Sequence, residues 1–262
     1  MKSPLRKRLP RELKSEFGKY LVVFIMMAIT IGFVSGFLVA DGSMLRAYDD
    51  SFQKYNIEDG YFQTKKKLTP AQKEDIEKSD VKVYENFYIE QKLTNGSTIR
   101  FFKNRKEVDK VCLMKGKMPK KSGEIAVDRM YADNNELKVG DTVKSRKKTF
   151  RITGLVALSD YSALFQNNND TMFDAVKFGV AIVTDKDFEA LNQVKVQYNY
   201  AWIYDKKPAT EKKEKKMAED LMEDMADVVT IESFVPQYQN QSIHFTGDDM
   251  GSDRAMIVML LY

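Results

Sequence analysis

The chain has 262 residues, of which 31% are charged, with a formal net charge of +4 and a mean hydropathy of −0.45. A polytopic transporter of this length would be far more apolar, so most of the chain is expected to face water and to be large enough for a real core. The first 19 residues carry seven basic and two acidic side chains, which leaves the rest near neutral and argues against a nucleic-acid binder built on clustered positive charge.

Residues 1–19 read as a basic interfacial segment on the cytoplasmic leaflet. Leu9, Leu13 and Phe17 fall four apart between Arg and Lys, and Pro10 suits a first helical turn. Tyr20 to Ala40 then runs for 21 residues without a charge. As a helix it spans about 31 Å, one hydrocarbon core, and it is apolar on every face, unlike the amphipathic helix of a soluble domain. The run is long for a signal-peptide core, and Leu38-Val39-Ala40 is a poor cleavage site, so residues 20–40 are expected to remain as a transmembrane helix. Basic residues before it, with Asp41, Asp49 and Asp50 after it, put the N-terminus in the cytoplasm and the main domain outside the cell membrane. The basic flank can also meet anionic membrane lipids. Ala28, Gly32, Gly36 and Ala40 recur every fourth residue and mark a helix-packing seam, because small residues let a second helix approach closely.

Met44, Leu45, Tyr48, Phe52 and Tyr55 keep helical spacing, so the helix is expected to continue past the membrane, or resume after Gly42, and to end near Asn56–Gly60. Tyr61 to Lys65 reads as a strand. Thr69-Pro70-Ala71-Gln72 is a capping box with Pro at the first helical position, and that helix is expected to reach Ser79. Val81 to Leu93 and Thr98 to Lys103 flank Asn95-Gly96, the strongest short hairpin signal, with φ > 0 expected at both turn residues. Residues 104–118 give no clear pattern. Glu124 to Asp128 reads as a strand, Arg129 to Asn135 as one or two helical turns, and Val139 to Leu158 as a small meander with basic residues at its tip.

Asp160 to Asp174 is polar and reads as a loop with short helical pieces. Phe178 to Val183 is a buried-type strand, Asp185 is expected to cap a helix running to Asn192, and Val194 to Tyr204 is again a strand. Pro208 to Ala226 predicts a long charged helix with Met217, Leu221, Met222 and Met225 on its apolar side. Val228 to Val235 is the last strand and Gln237 to Ser252 a polar connector. The apolar run from Ala255 to Tyr262 is expected to begin a second membrane helix.

Catalytic signatures are missing. The chain has no GxxxxGK[ST] loop, no GxSxG elbow and no HExxH, and it contains one cysteine, Cys112, and one histidine, His244, so neither an internal disulfide nor a common zinc site is expected. His244 reads as a surface residue, and Asp248, Asp249 and Asp253 as solvated acids. No catalytic, cofactor-binding or metal-ligating residue is assigned.

Inside the outer domain stand Gly123-Glu124-Ile125-Ala126-Val127-Asp128, Tyr131-Ala132, Leu137-Lys138-Val139-Gly140-Asp141-Thr142-Val143 and Phe150-Arg151-Ile152-Thr153-Gly154-Leu155-Val156. This order resembles the motif of bacterial FtsX-like and MacB-like ABC transporter permeases, in its Gram-positive versions, over nearly the whole chain. Its marked residues, Gly123, Glu124, Val139, Gly140, Asp141 and Gly154, are structural: Gly140-Asp141 suits a turn, and a strand glycine such as Gly154 suits a bulge or a close backbone approach.

The resemblance implies an α+β fold, with one transmembrane helix followed by a porter-like α/β module carrying a β-rich insertion. The expected division is 1–19, 20–40, a first module part at 41–111, the insertion at 112–176, a second module part at 177–252, and the start of a second membrane helix at 253–262. It also implies a separate cytoplasmic ABC ATPase, a homodimeric or heterodimeric permease, mechanotransmission between the two sides, and an extracellular substrate or cell-wall partner. ATP hydrolysis then belongs to the partner and the chain itself is no enzyme. The competing reading is a membrane-anchored sensing or binding module that acts without an ATPase.

Overall fold

The structure is a computed structural model that describes residues 14–145, 148–191 and 193–260. Most of the expected interfacial segment, Arg146 and Lys147 at the expected hairpin tip, Asn192, and the last two residues lie outside the described residues. The fold is mixed α+β and divides into two units, Asp49–Asp248 and the remainder.

In the smaller unit the dominant element is helix α1, Phe17–Tyr55, of 39 residues, whose last turns belong to the larger unit. It runs without a break through Gly42, so the continuation expected beyond the apolar stretch is present. Phe24, Phe33 and Val39 are exposed, and α1 is the one described helix long and apolar enough to cross a membrane. Its hydroxyls are satisfied within the helix: Thr30 Oγ1 donates to the Met26 carbonyl and Ser43 Oγ to that of Val39, each at 2.9 Å.

Eleven strands form the sheet of the larger unit: β1 Gly60–Thr64, β2 Val81–Glu85, β3 Tyr88–Lys92, β4 Thr98–Lys103, β5 Val111–Gly116, β6 Glu124–Asp128, β7 Thr142–Lys144, β8 Thr149–Leu158, β9 Phe178–Val183, β10 Val196–Tyr204 and β11 Ile231–Pro236. Their order is β11-β1-β10-β3-β4-β9-β6-β8-β5, with β2 paired to β10 and β7 to β8. The β4–β9 and β6–β8 pairs are parallel and the rest antiparallel. β9 is buried at all six positions, as expected of its continuous apolar run between two neighbouring strands.

Helices α2 (Pro70–Glu77), α3 (Arg129–Asn134), α4 (Asp185–Ala190), α5 (Glu211–Val228) and α6 (Gln241–Leu260) complete the described elements, with short 3-10 turns at Gln193–Lys195 and Gln237–Gln239. The Thr69 capping box forms as expected. Several local expectations change. Only Gly96 has positive φ in the hairpin loop: Leu93 N donates to Ser97 O and Gly96 N to Leu93 O, a three-residue loop in which Gly96 alone takes the left-handed position. Thr184, not Asp185, caps α4, because its hydroxyl accepts from Asp187 N at 3.2 Å. Pro208 lies before α5, which Thr210 caps. Ala218, Leu221 and Met225 form its buried stripe, and Met222, one residue off that spacing, is 44% exposed. Residues 160–174 hold turns and no helix. The polar segment expected to be a connector is α6 from Gln241 onward. Its first turns meet protein through Ser242 and Ile243, both buried, among polar residues that by themselves read as a connector.

Two hydrophobic cores result. One is drawn from residues between Tyr88 and Leu191, including Phe101, Tyr131, Phe150 and Ile182. The other joins the flanks, with Phe62, Ile76, Tyr200, Trp202, Leu221 and Met225. Residues 112–176 lie within the reach of the first core, which also takes in β3, β4 and β9.

Candidate functional site

The marked sequence residues fall in two places. Ala28, Gly32, Gly36 and Ala40 are exposed on α1, and a methyl group added at Gly32 or Gly36 would meet nothing within 4 Å. The other set supports β6, β7 and β8. Gly123 precedes β6, and Glu124 accepts from the amides of Lys120 and Lys121 at 2.8 Å each. Val139, Gly140 and Asp141 make the turn into β7, where the Asp141 carboxylate accepts from Lys138 N at 2.8 Å. Gly154 sits where β8 meets irregular register on both sides, and a Cβ there would lie 2.6 Å from the Lys117 carbonyl oxygen. Close backbone approach is therefore the reason for glycine at this position.

Pattern reading missed the residue that holds this region together. Asp187, fully buried, accepts from Ser122 Oγ at 2.6 Å, Gly123 N at 2.8 Å, Thr184 Oγ1 at 2.9 Å and the Lys148 ammonium. Burial alone would raise its pKa, but Lys148 and the other donors outweigh burial and lower it.

A second buried network forms where α1 ends. Asn56, with φ of +50°, closes the helix: its own amide donates to Gln53 O and Ile57 N to Phe52 O, a Schellman arrangement. Asn56 Nδ2 then donates to Glu107 O at 2.8 Å. Glu58 N donates to Asp109 Oδ1 at 2.9 Å, and Asn240 Nδ2 donates to Glu58 Oε1 at 3.3 Å. Arg105 is paired with Asp160 at 2.7 Å and lies 3.7 Å from Asp109, which also accepts from Asn86 Nδ2 at 3.3 Å. Glu58, Asp109 and Asp160 are each at least nine-tenths buried, and Arg105 is the guanidinium that faces Asp109 and Asp160.

Burial first, then the neighbouring Asp109 and Asp160, pushes the Glu58 carboxyl well above its ordinary range. Burial and Asp160 likewise raise Asp109 to about 7, against the pull of Arg105. Burial and the like charges of their neighbours therefore favour the protonated forms of Glu58 and Asp109, while Arg105 opposes this.

The segment leading into α6 is fastened to the same place. Gln237 N donates to Asp59 O at 2.8 Å, and Gln237 Nε2 to the Glu58 carbonyl. Ser162 Oγ donates to the carbonyls of Ser242 and Ile243 at 2.8 and 2.7 Å. Phe165, Phe173 and Phe245 pack edge to face with centroids 5.4–5.6 Å apart. His244 departs from the expected surface residue: it is half-buried beside Phe52, its ring centroid 6.2 Å away, and burial lowers its pKa.

Above this network opens a cleft of about 380 Å³. Tyr61, Gln63 and Phe234 line one side, Tyr88, Arg100 and Tyr161 another, and residues 166–169 with Gln239 and Asn240 the rim. Gln63 Nε2 donates to Tyr88 Oη and to Asn199 Oδ1, both at 3.2 Å. Arg100 is held by Glu90 Oε1, to which Nε and Nη2 donate at 3.0 and 2.5 Å, and lies 4.1 Å from the centre of the Tyr88 ring. Among the described residues no group of three His, Cys, Asp or Glu side chains converges in a way that could hold a metal ion.

No protein-family model matches the sequence, and no curated protein matches it either. Among solved structures, the periplasmic region of MacB from Actinobacillus actinomycetemcomitans is similar at 14% identity and a TM-score of 0.34, over 66% of this chain and 87% of that one. The extracellular domain of the noncanonic ABC-type transporter YknZ from Gram-positive bacteria is similar at 11% identity and a TM-score of 0.32, over 66% of this chain and 98% of that one.

Proposed function

We propose that the chain is part of a permease subunit of an ABC transporter of the FtsX-like and MacB-like type. In this reading its N-terminus is cytoplasmic, α1 crosses the membrane, and Asp49–Asp248 is the extracytoplasmic domain that responds to a separate cytoplasmic ATPase. The observation that carries the reading is the buried network around Glu58. It binds the residues just after α1 and those that lead into and open α6 to one another and to the loops at 105–109 and 160–168. A loose tether needs no such fastening. A helix that transmits displacement does, because packed and hydrogen-bonded elements move as bodies while linkers absorb motion. The chain then works by moving its outer domain, and ATP hydrolysis belongs to the partner.

The small-residue face at Ala28, Gly32, Gly36 and Ala40 is assigned to packing against another membrane helix, in a homodimer or heterodimer of permeases. The basic segment at 1–19 is assigned to the lipid headgroups of the cytoplasmic leaflet. A stably bound ATPase in repeated purifications of the tagged native protein in gentle detergent, identified by mass spectrometry, is the expected result. Preparations that consistently lack an ATPase would overturn the permease reading. The polar cleft specifically favours the second reading, a tethered receptor, and that outcome would leave it standing.

A further inference from the structure

The cleft is chemically selective. Twenty residues line it and eight of them are Asn or Gln, whereas only Glu58, Arg100 and Asp160 belong to charged types, in a chain that is 31% charged. Each of the three is already engaged. Arg100 bonds Glu90, donates through Nη1 to Tyr161 Oη at 2.5 Å and through Nη2 to Gln166 O at 2.9 Å. Asp160 is paired with Arg105, and Glu58 Oε1 accepts from Asn240 Nδ2. An anionic ligand would lose hydration here and meet only Arg100, whose guanidinium is already held by Glu90, Tyr161 and Gln166, while a cation would have to compete with Arg105 for Asp160. A lipid tail or apolar peptide side chain would cover amides that it cannot bond.

Hydrogen-bonding capacity is what remains. Among the described residues Gln63 Oε1 and Asn199 Nδ2 take no protein partner, and Asn169 and Gln239 offer whole carboxamides at the exposed rim. Asp160, 5% exposed, lines the cleft with Oδ1 unpartnered. A carboxamide donates and accepts at once, as a pair of neighbouring hydroxyls does, so such a lining matches a polyol. The volume of about 380 Å³ lies at the small end of ligand sites, about 300–1,000 Å³.

We propose that this cleft binds an uncharged, hydroxyl-rich ligand, a mono- or disaccharide unit, through Gln63, Asn199, Asp160 and the rim amides of Asn169 and Gln239. The site does not depend on the permease reading. The test uses the full chain in lipid nanodiscs, which avoids sugar detergents, with saturation-transfer NMR and calorimetry. The probes are cellobiose, maltose and N-acetylglucosamine, with glucosamine, glucuronate and N-acetyl-trialanine amide as the cationic, anionic and peptide alternatives.

The expected result is saturable binding of at least one neutral sugar, stronger than either charged analogue. It is weakened about tenfold or more by Gln63→Leu and by the double variant Asn169→Ala/Gln239→Ala. The rim variant replaces exposed side chains, so its thermal unfolding should match the parent and separates lost binding from lost folding. Absence of binding by all three neutral sugars at about 10 mM, binding that both variants leave unchanged, or tighter binding of the peptide amide overturns the proposal.

Discussion

Glu58 and Asp109 give the domain a pH response of definite sign. Both carboxyls titrate higher in the folded protein than in the unfolded chain, so between their ordinary values and about 7 the folded state binds more protons. Their contribution is fully present below the unfolded values and is lost as pH rises through the folded ones, with a slope of up to about 1.4 kcal/mol per pH unit for each proton. Asp128, raised by burial to about 6, acts in the same direction. Asp187 acts oppositely: its lowered pKa contributes stability above the ordinary Asp value that is lost as pH falls through its folded value. Thermal unfolding of the parent from about pH 4 to about pH 7 should therefore lose stability at the upper end, and Glu58→Gln should flatten that decline. An unchanged slope in Glu58→Gln would place the retained proton elsewhere. At Asp187, replacement by Ala leaves the Gly123 amide without its acceptor and Lys148 with only Ser122 Oγ, and should cost about 1–3 kcal/mol by denaturant unfolding. A loss below about 0.5 kcal/mol would show that water replaces the carboxylate.

Among the elements, α5 and α1 make contrasting predictions. Met225 is fully buried in the flanking core while Met222 is 44% exposed on the same helix. Met225→Ala should cost about 2–5 kcal/mol and Met222→Ala well under 1 kcal/mol, read by chemical denaturation. Equal losses would mean that the apolar face of α5 is misassigned. On α1, a Cβ added at Gly32 or Gly36 meets nothing within 4 Å, so Gly32→Leu/Gly36→Leu starts from open space. The double variant should keep the helicity and unfolding of the parent yet reduce association with a second membrane helix, in another copy of the chain or another protein, measured by energy transfer between labelled chains. Undiminished association would remove that face as the seam. The capping box at Thr69 and the buried run of β9 were readable because each depends on neighbouring residues alone. The α4 cap was misread by one position because Thr184 and Asp185 are both good caps, and only the register of the first turn chooses between them.

At the scale of the molecule, the sheet joins strands far apart in the chain, and its centre should be the last part to open. Hydrogen exchange is expected to be slowest in β4, β9 and β6 and fastest in the turns of residues 166–174. Uniform exchange across these segments would contradict the two-core description. The apolar span, its length and the helix that continues to Tyr55 follow from composition and periodicity, since a helix satisfies its own backbone and an uncharged run needs no distant partner to be recognised. Strands β6, β9 and β10 and the hairpin around Gly96 follow similarly from local apolar runs and turn chemistry. The parallel pairs β4–β9 and β6–β8 did not, because one strand pattern is compatible with many neighbours. Nor did the Glu58–Asp109–Arg105–Asp160 network or the amide-lined cleft. Their members are separated by up to some 180 positions, from Glu58 to Asn240, and each alone reads as an ordinary solvated side chain. Burial shifts those carboxyls upward and gathers the amides into one cleft, and burial is a property of the assembled chain.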